Sequence, residues 1–368
     1  MLSNMKIPLD TIDKSSFKIK DGILNGRVVY LINPVEFDCK WNKSNLHLRS
    51  LMIDYDGTVI SRGMSKFFNF GEKQELYPTP DKFNDWVLSS KEDGSLLICD
   101  LIDGKFNART RGTISYKDHE NTSDFDFVIN KYKLWELSEL TEYSILFELY
   151  SPTNVIVLKP YQDPEIVLLG AIHKENNIYY PYYSELGKQI QSKLNCKLPE
   201  TFPINGDIAI IASKIKDWIG KEGIVLNYNN NQNQLKIKSD WYLIRHRMKS
   251  ELSSLEKVMD LWISLNYPNY TDFYNEVVKS FDFEIANIAQ GHISNICDAY
   301  KEVNKILDGF YSFVNHTLRL LPNRKEQALK VIQSYGITNR ANFIFKLLDG
   351  KTLGGDDIKK LLFQVLKS

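Results

Sequence analysis

Lys91-Glu92-Asp93-Gly94-Ser95 sits between two apolar runs, Asp85-Trp86-Val87-Leu88 and Leu96-Leu97-Ile98-Cys99. This places a lysine at a strand-to-turn junction, where its amine can be held rigidly in a pocket. The chemistry it suggests is nucleophilic attack. A free lysine has a pKa of about 10.4, so only about one in a thousand is unprotonated at neutral pH. The expectation is therefore that cationic neighbours or a metal depress the Lys91 pKa.

Other side chains could serve such a lysine. In Gln234-Leu235-Lys236-Ile237-Lys238 strand alternation puts Lys236 and Lys238 on one face and the apolar pair on the other. The result is a cationic strip suited to a phosphate chain, or else the solvated outer face of a half-buried strand. Glu148 is the one charge in Ile145-Leu146-Phe147-Glu148-Leu149-Tyr150. A carboxylate inside an apolar strand is rare unless it is paired or binds metal. Glu222 stands at the mouth of Gly223-Ile224-Val225-Leu226, where an ordinary loop acid is the alternative. Arg49, Arg109, Arg111 and Lys66 add positive charge. Lys66 lies among aromatics in Lys66-Phe67-Phe68-Asn69-Phe70, a composition that holds phosphates and stacks bases, or forms a core edge. The chain has no GxxxxGK[ST], GxGxxG or HExxH motif, and its six histidines are isolated from one another.

The elements that must position these residues fall into two regions. Up to about residue 245 the pattern is short strands with turns, among them Arg27–Ile32, Ser144–Tyr150, Glu165–Ile172 and a hairpin of Gly223–Tyr228 with Gln234–Lys238. Helices are expected at Tyr183–Leu194 and Ala209–Trp218. Beyond Lys249 apolar residues recur at three and four. Ile293, Ile296, Tyr300, Val303, Leu307, Phe310 and Val314 form one long amphipathic helix, and shorter helices end near Gly336 and Gly350. A length of 368 residues suits two or three domains. Lys plus Arg and Asp plus Glu balance at 46 each, so contact with a polyanion must come from a local patch. Cys39, Cys99, Cys196 and Cys297 form no CxxC pair, consistent with reduced thiols. Met1–Lys14 is unlike a signal peptide and no run approaches a membrane span, so a cytoplasmic location without membrane contact is expected.

These motifs, in this order, resemble the covalent nucleotidyltransferases, which comprise DNA ligases, RNA ligases and capping guanylyltransferases. The nearest resemblance is to the ATP-dependent RNA ligase 1 family of T-even phages. It rests on Lys91-Glu92-Asp93-Gly94-Ser95-Leu96, Met64-Ser65-Lys66-Phe67-Phe68-Asn69, Pro152-Thr153-Asn154-Val155-Ile156-Val157-Leu158, Lys221-Glu222-Gly223 and Lys236-Ile237-Lys238-Ser239-Asp240-Trp241-Tyr242. It covers Arg49 to Lys249. The resemblance implies an α+β fold, with an N-terminal nucleotidyltransferase domain of ATP-grasp-like antiparallel sheets over residues 1–249. An all-helical domain for RNA selection follows over 250–368.

The resemblance also implies roles. Lys91 attacks the α-phosphorus of ATP and carries AMP. Lys236 and Lys238 hold the α-phosphate region, Arg49, Lys66 and Arg111 contact nucleotide phosphates, and Asp93 and Gly94 belong to the nucleotide motif. Glu148 binds the ribose or the water shell of Mg2+ (Mn2+ as the alternative). Glu222, with Tyr242, places that metal, and Asp272 is a further acidic metal contact. The implied partner is RNA with 5′-phosphate and 3′-hydroxyl ends, nicked tRNA included, and the implied process is RNA or tRNA repair. Three departures stand out: Arg49-Ser50 where the family has Arg-Gly, Arg109 and Arg111 where it has lysines, and no aromatic match around Asn33. DNA ligases carry arginine where Ser95 stands, which favours RNA over DNA joining. A capping enzyme and a non-catalytic RNA-binding relative are the remaining alternatives.

Overall fold

The computed structural model describes residues 6–35, 39–77, 85–158, 161–203, 207–281 and 283–367. The chain divides into two compact units, Met1–Ile244 and Arg245–Ser368.

Three sheets build the first unit. One is the meander β1 (Phe17–Leu24), β2 (Arg27–Pro34), β3 (Leu51–Asp54) and β4 (Val59–Arg62). A second has the order β11 (Tyr179–Pro181), β10 (Glu165–His173), β9 (Tyr143–Tyr150), β7 (Ser95–Ile102), β8 (Lys105–Thr110). The third has the order β12 (Thr201–Phe202), β6 (Val87–Ser90), β13 (Gly223–Tyr228), β14 (Asn233–Lys238), β5 (Phe68–Asn69). Among the described strands every pairing is antiparallel except that of the two-residue β5 with β14.

Strand alternation decides which residues reach the cavity between the second and third sheets. In β9, Ile145, Phe147 and Leu149 point into a core shared with α1 (Ser123–Lys131) and α2 (Glu185–Leu194). Leu146 and Glu148 therefore face the other way, Leu146 packing with Ile98 and Ile172. In β14, Leu235 and Ile237 join the core under α3 (Ile208–Lys216), which turns Lys236 and Lys238 outward. α2 and α3 begin at side-chain caps: Ser184 accepts from Gly187 N and Asp207 from Ala209 N.

The second unit is helical. α4 (Asp240–Leu252) crosses into it, followed by α5 (Leu255–Ser264), α6 (Tyr270–Phe281), the 34-residue α7 (Phe283–His316), α8 (Arg324–Tyr335), α9 (Asn339–Leu348) and α10 (Gly355–Leu366). Ile293, Ile296, Val303, Phe310 and Val314 of α7 are buried against Trp262, Phe273, Ile344 and Leu361. Among the described residues no helix is long and apolar enough to cross a membrane.

Candidate active site

The Lys91–Gly94 turn is where the chain leaves one sheet for another, from β6 in the third to β7 in the second. Its backbone is fixed on both sides. Lys91 N donates to Gly223 O of β13 at 2.9 Å, and Gly94 N donates to Glu148 Oε1 of β9 at 3.0 Å. Gly94 has no room for a side chain, because a Cβ would lie 2.4 Å from Leu149 O. Tyr150 Oη donates to Glu92 Oε2 at 2.5 Å and accepts from Asp93 N at 3.2 Å.

Around this turn lies a cavity of about 530 Å³. Its cationic wall is drawn from separated segments: Arg49 before β3, Lys66 before β5, Arg111 after β8, and Lys236 and Lys238 on β14. Leu96, Leu169, Tyr179 and Val225 give it an apolar region that fits a planar base. Sequence reasoning missed Tyr179 and Leu169. Tyr179 comes from the short edge strand β11 and Leu169 from the bulge in β10, and no local motif marks either.

The charges are crowded. Lys91 Nζ lies 3.0 Å from Glu222 Oε1, and Lys238 Nζ lies 2.8 Å from the same oxygen. Glu222 itself is 2 % exposed. Burial pulls the Lys91 ammonium down, but Glu222, Glu148 and Asp93 outweigh it and leave its pKa above the ordinary value. The expected depression of this pKa is thus corrected: in the protein alone, carboxylates hold Lys91 as the ammonium. Lys236 takes the opposite course. Burial, then Lys66, Lys238, Lys91 and Arg49, push it down to about 8. Burial and Arg111 bring Arg49 down to about 10, its guanidinium donating to Met64 O at 3.0 Å. Burial raises Glu148 to about 7, with Lys91 opposing and Glu222 reinforcing.

Not every residue expected at the site reaches the cavity. Asp93 is 3 % exposed and turns away from it. Its Oδ2 accepts from the amides of Val157 (2.9 Å) and Leu158 (2.6 Å), and its Oδ1 accepts from Tyr242 Oη at 2.6 Å. Asp93, expected in the nucleotide motif, and Tyr242, expected to help place the metal, instead form a rivet here that fastens the Lys91 turn to the 151–158 loop and α4. Arg109 is likewise no cavity residue. Fully buried, it donates to Ser61 Oγ (2.8 Å), Ser50 Oγ (2.9 Å) and Ser50 O (2.8 Å). Ser50 has a left-handed backbone (φ 60°), which disfavours a side chain and explains glycine as the family residue. Here Ser50 Oγ also donates to Arg111 O at 3.0 Å, and Asn33 Nδ2 donates to the same carbonyl at 3.0 Å. The departures at Ser50, Arg109 and Arg111 are thus in mutual contact and hold Arg111 at the cavity. Asp272 belongs to the second unit, where it exchanges hydrogen bonds with Asn269 at the start of α6.

Among the described residues no three His, Cys, Asp or Glu side chains converge as a metal cage. The donor set instead suits a hard cation that takes most of its ligands from phosphate and water, with Glu148 and Glu92 as the acids lining the cavity. Glu222 Oε1 is already engaged by two ammonium groups.

A half-buried lysine in a cation-lined cavity between antiparallel sheets defines a nucleotidyltransferase-type site. The RNA ligase family model of the T4 RNA ligase 1 type matches residues 47–243, and the chain belongs to that family. A protein of Autographa californica nuclear polyhedrosis virus named for polynucleotide kinase and RNA ligase activities is 27% identical over 251 residues, 61% of this chain and 34% of that protein. One of Thermovibrio ammonificans, named as an RNA ligase, is 27% identical over 210 residues, 55% of this chain and 53% of its own. The chain thus spans between a third and about half the length of these relatives. A solved archaeal ATP-dependent RNA ligase aligns with a TM-score of 0.42 at 15% identity, covering 91% of this chain and 93% of that one.

Proposed function

We propose that the protein joins RNA ends at the expense of ATP, using Lys91 as the nucleotide carrier. The observation that carries this reading is the Lys91 amine in a cavity ringed by Arg49, Lys66, Arg111, Lys236 and Lys238. Lys91 Nζ bonds to the α-phosphorus of ATP as the bond to pyrophosphate breaks, giving a lysyl-AMP phosphoramide. Glu222 Oε1 is the nearest acceptor for the ammonium proton. Lys236 and Lys238 offset charge on the α-phosphate, while Arg49, Lys66 and Arg111 take the outer phosphates. The adenine lies against Leu96, Tyr179 and Val225, and Glu148 reaches the ribose or the hydration shell of the metal. Mg2+, with Mn2+ as the alternative, offsets phosphate charge when bound. AMP then passes to an RNA 5′-phosphate, and a 3′-hydroxyl displaces it to seal the strand. RNAs with such ends, nicked tRNA among them, are the substrates of this reading, and the helical unit selects among them.

Incubation with ATP labelled at the α-phosphate tests it. The protein takes up label, Lys91→Ala does not, and label chases onto 5′-phosphorylated RNA. Label that never leaves the protein for RNA contradicts the reading.

A further inference from the structure

A second cavity of about 940 Å³ opens beside the first. Lys66, Arg111 and Gly112 line both, whereas Lys91, Glu148, Lys236 and Lys238 line the first alone. The second cavity therefore begins at the end of the cationic wall away from Lys91. Its own wall is aromatic. Trp41 is fixed edge-on by Phe17 and Phe68, at centroid separations of 5.6 and 6.5 Å. The Lys66 ammonium sits 4.9 Å from the Phe68 centroid and 5.7 Å from that of Trp41. Lys18 and Lys73 stand on the rim. Of the acids there, Glu72 is engaged by Asn69 N (3.1 Å) and Nδ2 (2.7 Å), and Glu75 lies 3.7 Å from Lys73. Lys18 and Arg111 make no ion pair among the described residues.

In-line phosphoryl transfer then constrains what enters. In the first step Lys91 Nζ bonds to the α-phosphorus and pyrophosphate leaves from the opposite side. In the second, an RNA 5′-phosphate oxygen bonds to that phosphorus while the bond to Lys91 breaks, the amine departing with a proton. The incoming phosphate must therefore approach from the side that pyrophosphate vacated, the side of Lys66 and Arg111. A terminal phosphate on those two cations puts its own nucleoside into the second cavity.

We propose that the second cavity receives the 5′-terminal nucleotide of the RNA, its phosphate on Lys66 and Arg111 and its base stacked on Trp41. This rests on the RNA-ligase reading above and adds to it a seat for the strand that carries the 5′-phosphate. Stacking on an aromatic ring tolerates any base, so the seat reads the presence of a base rather than its identity.

The test follows AMP transfer in a single turnover. Enzyme preloaded with labelled AMP and freed of pyrophosphate is mixed with a 5′-phosphorylated oligoribonucleotide whose terminal residue is either normal or abasic. Wild type transfers AMP about tenfold more slowly to the abasic strand. Trp41→Ala transfers about tenfold more slowly to the normal strand and shows no further loss on the abasic one. Trp41→Phe restores most of the rate and the preference for a base, and the AMP loading of each variant reports on its fold. A Trp41→Ala enzyme that transfers at the wild-type rate, or still prefers the base-bearing strand, overturns the proposal. Equal transfer by wild type to both strands does the same, and leaves the cavity to pyrophosphate alone. A wild type that takes up no AMP overturns the ligase reading itself and this seat with it.

Discussion

Lys236 is a residue whose charge depends strongly on its surroundings. Its folded-state pKa, about 8, lies below the ordinary 10.5. Between those values the unfolded chain binds more protons, so the Lys236 contribution to stability rises with pH, and its unfavourable part is fully present below pH 8. A phosphate bound beside it reverses the balance and draws the proton back. ATP binding at pH 9 without divalent metal is therefore expected to take up close to one proton, and about half of one at pH 8, both above the range in which the terminal phosphate itself titrates. Calorimetry in two buffers of different ionisation enthalpy measures this; identical heats at pH 9 contradict it. At this scale the sequence was informative where a charge stood out against an apolar strand. Glu148 was marked by the cost of burying it, and Lys236 and Lys238 by alternation. What could not be read was direction. The partners of Asp93 are backbone amides 64 and 65 residues away, and Glu222, the nearest carboxylate that keeps Lys91 protonated, stands in the loop just before β13.

At the scale of elements, the hairpin of β13 and β14 aligns three functional groups at once. Gly223 pairs with Lys238 and follows Glu222, and its carbonyl accepts from Lys91 N. Gly223 has φ 148°, and a Cβ there would lie 2.0 Å from Ile237 O. Gly223→Ala must part the strands, with a stability loss of about 2–4 kcal/mol, in the range of severe backbone and packing substitutions. Urea unfolding checks the loss. AMP uptake should fall with it, because Glu222 and Lys238 lose their common register; uptake at the wild-type level contradicts this. The hairpin itself was legible from Gly223–Tyr228 and Gln234–Lys238 flanking a polar turn. The separate sheets were not. Nothing local in Lys91–Gly94 says that the chain changes sheet there, and Gly94 is required by β9, more than fifty residues later.

At the scale of the whole molecule, the compositional change near residue 249 and the division at Ile244 and Arg245 fall within one helix, α4. Tyr242 at its start is tied to Asp93, whereas Leu252 at its end joins the second core. A fragment ending after Leu252 keeps every residue that lines the Lys91 cavity. It is expected to take up AMP on Lys91 while losing RNA joining, measured by labelling and by a sealing assay on the same preparation. A fragment that folds but takes no AMP removes the proposed division of labour. The helical character of the tail was plain from its periodicity. Its partner was not, because net neutrality offers no field to interpret.

The central claim concerns one bond. Mass spectrometry of the full-length protein after incubation with ATP and Mg2+ tests it most directly, first intact and then after digestion. The expected result is a gain of one adenylate per chain, acid-labile as a phosphoramide, on the peptide containing Lys91 and absent from Lys91→Ala. An adenylate on another residue, or an unmodified Lys91 in enzyme that still seals RNA, would contradict it.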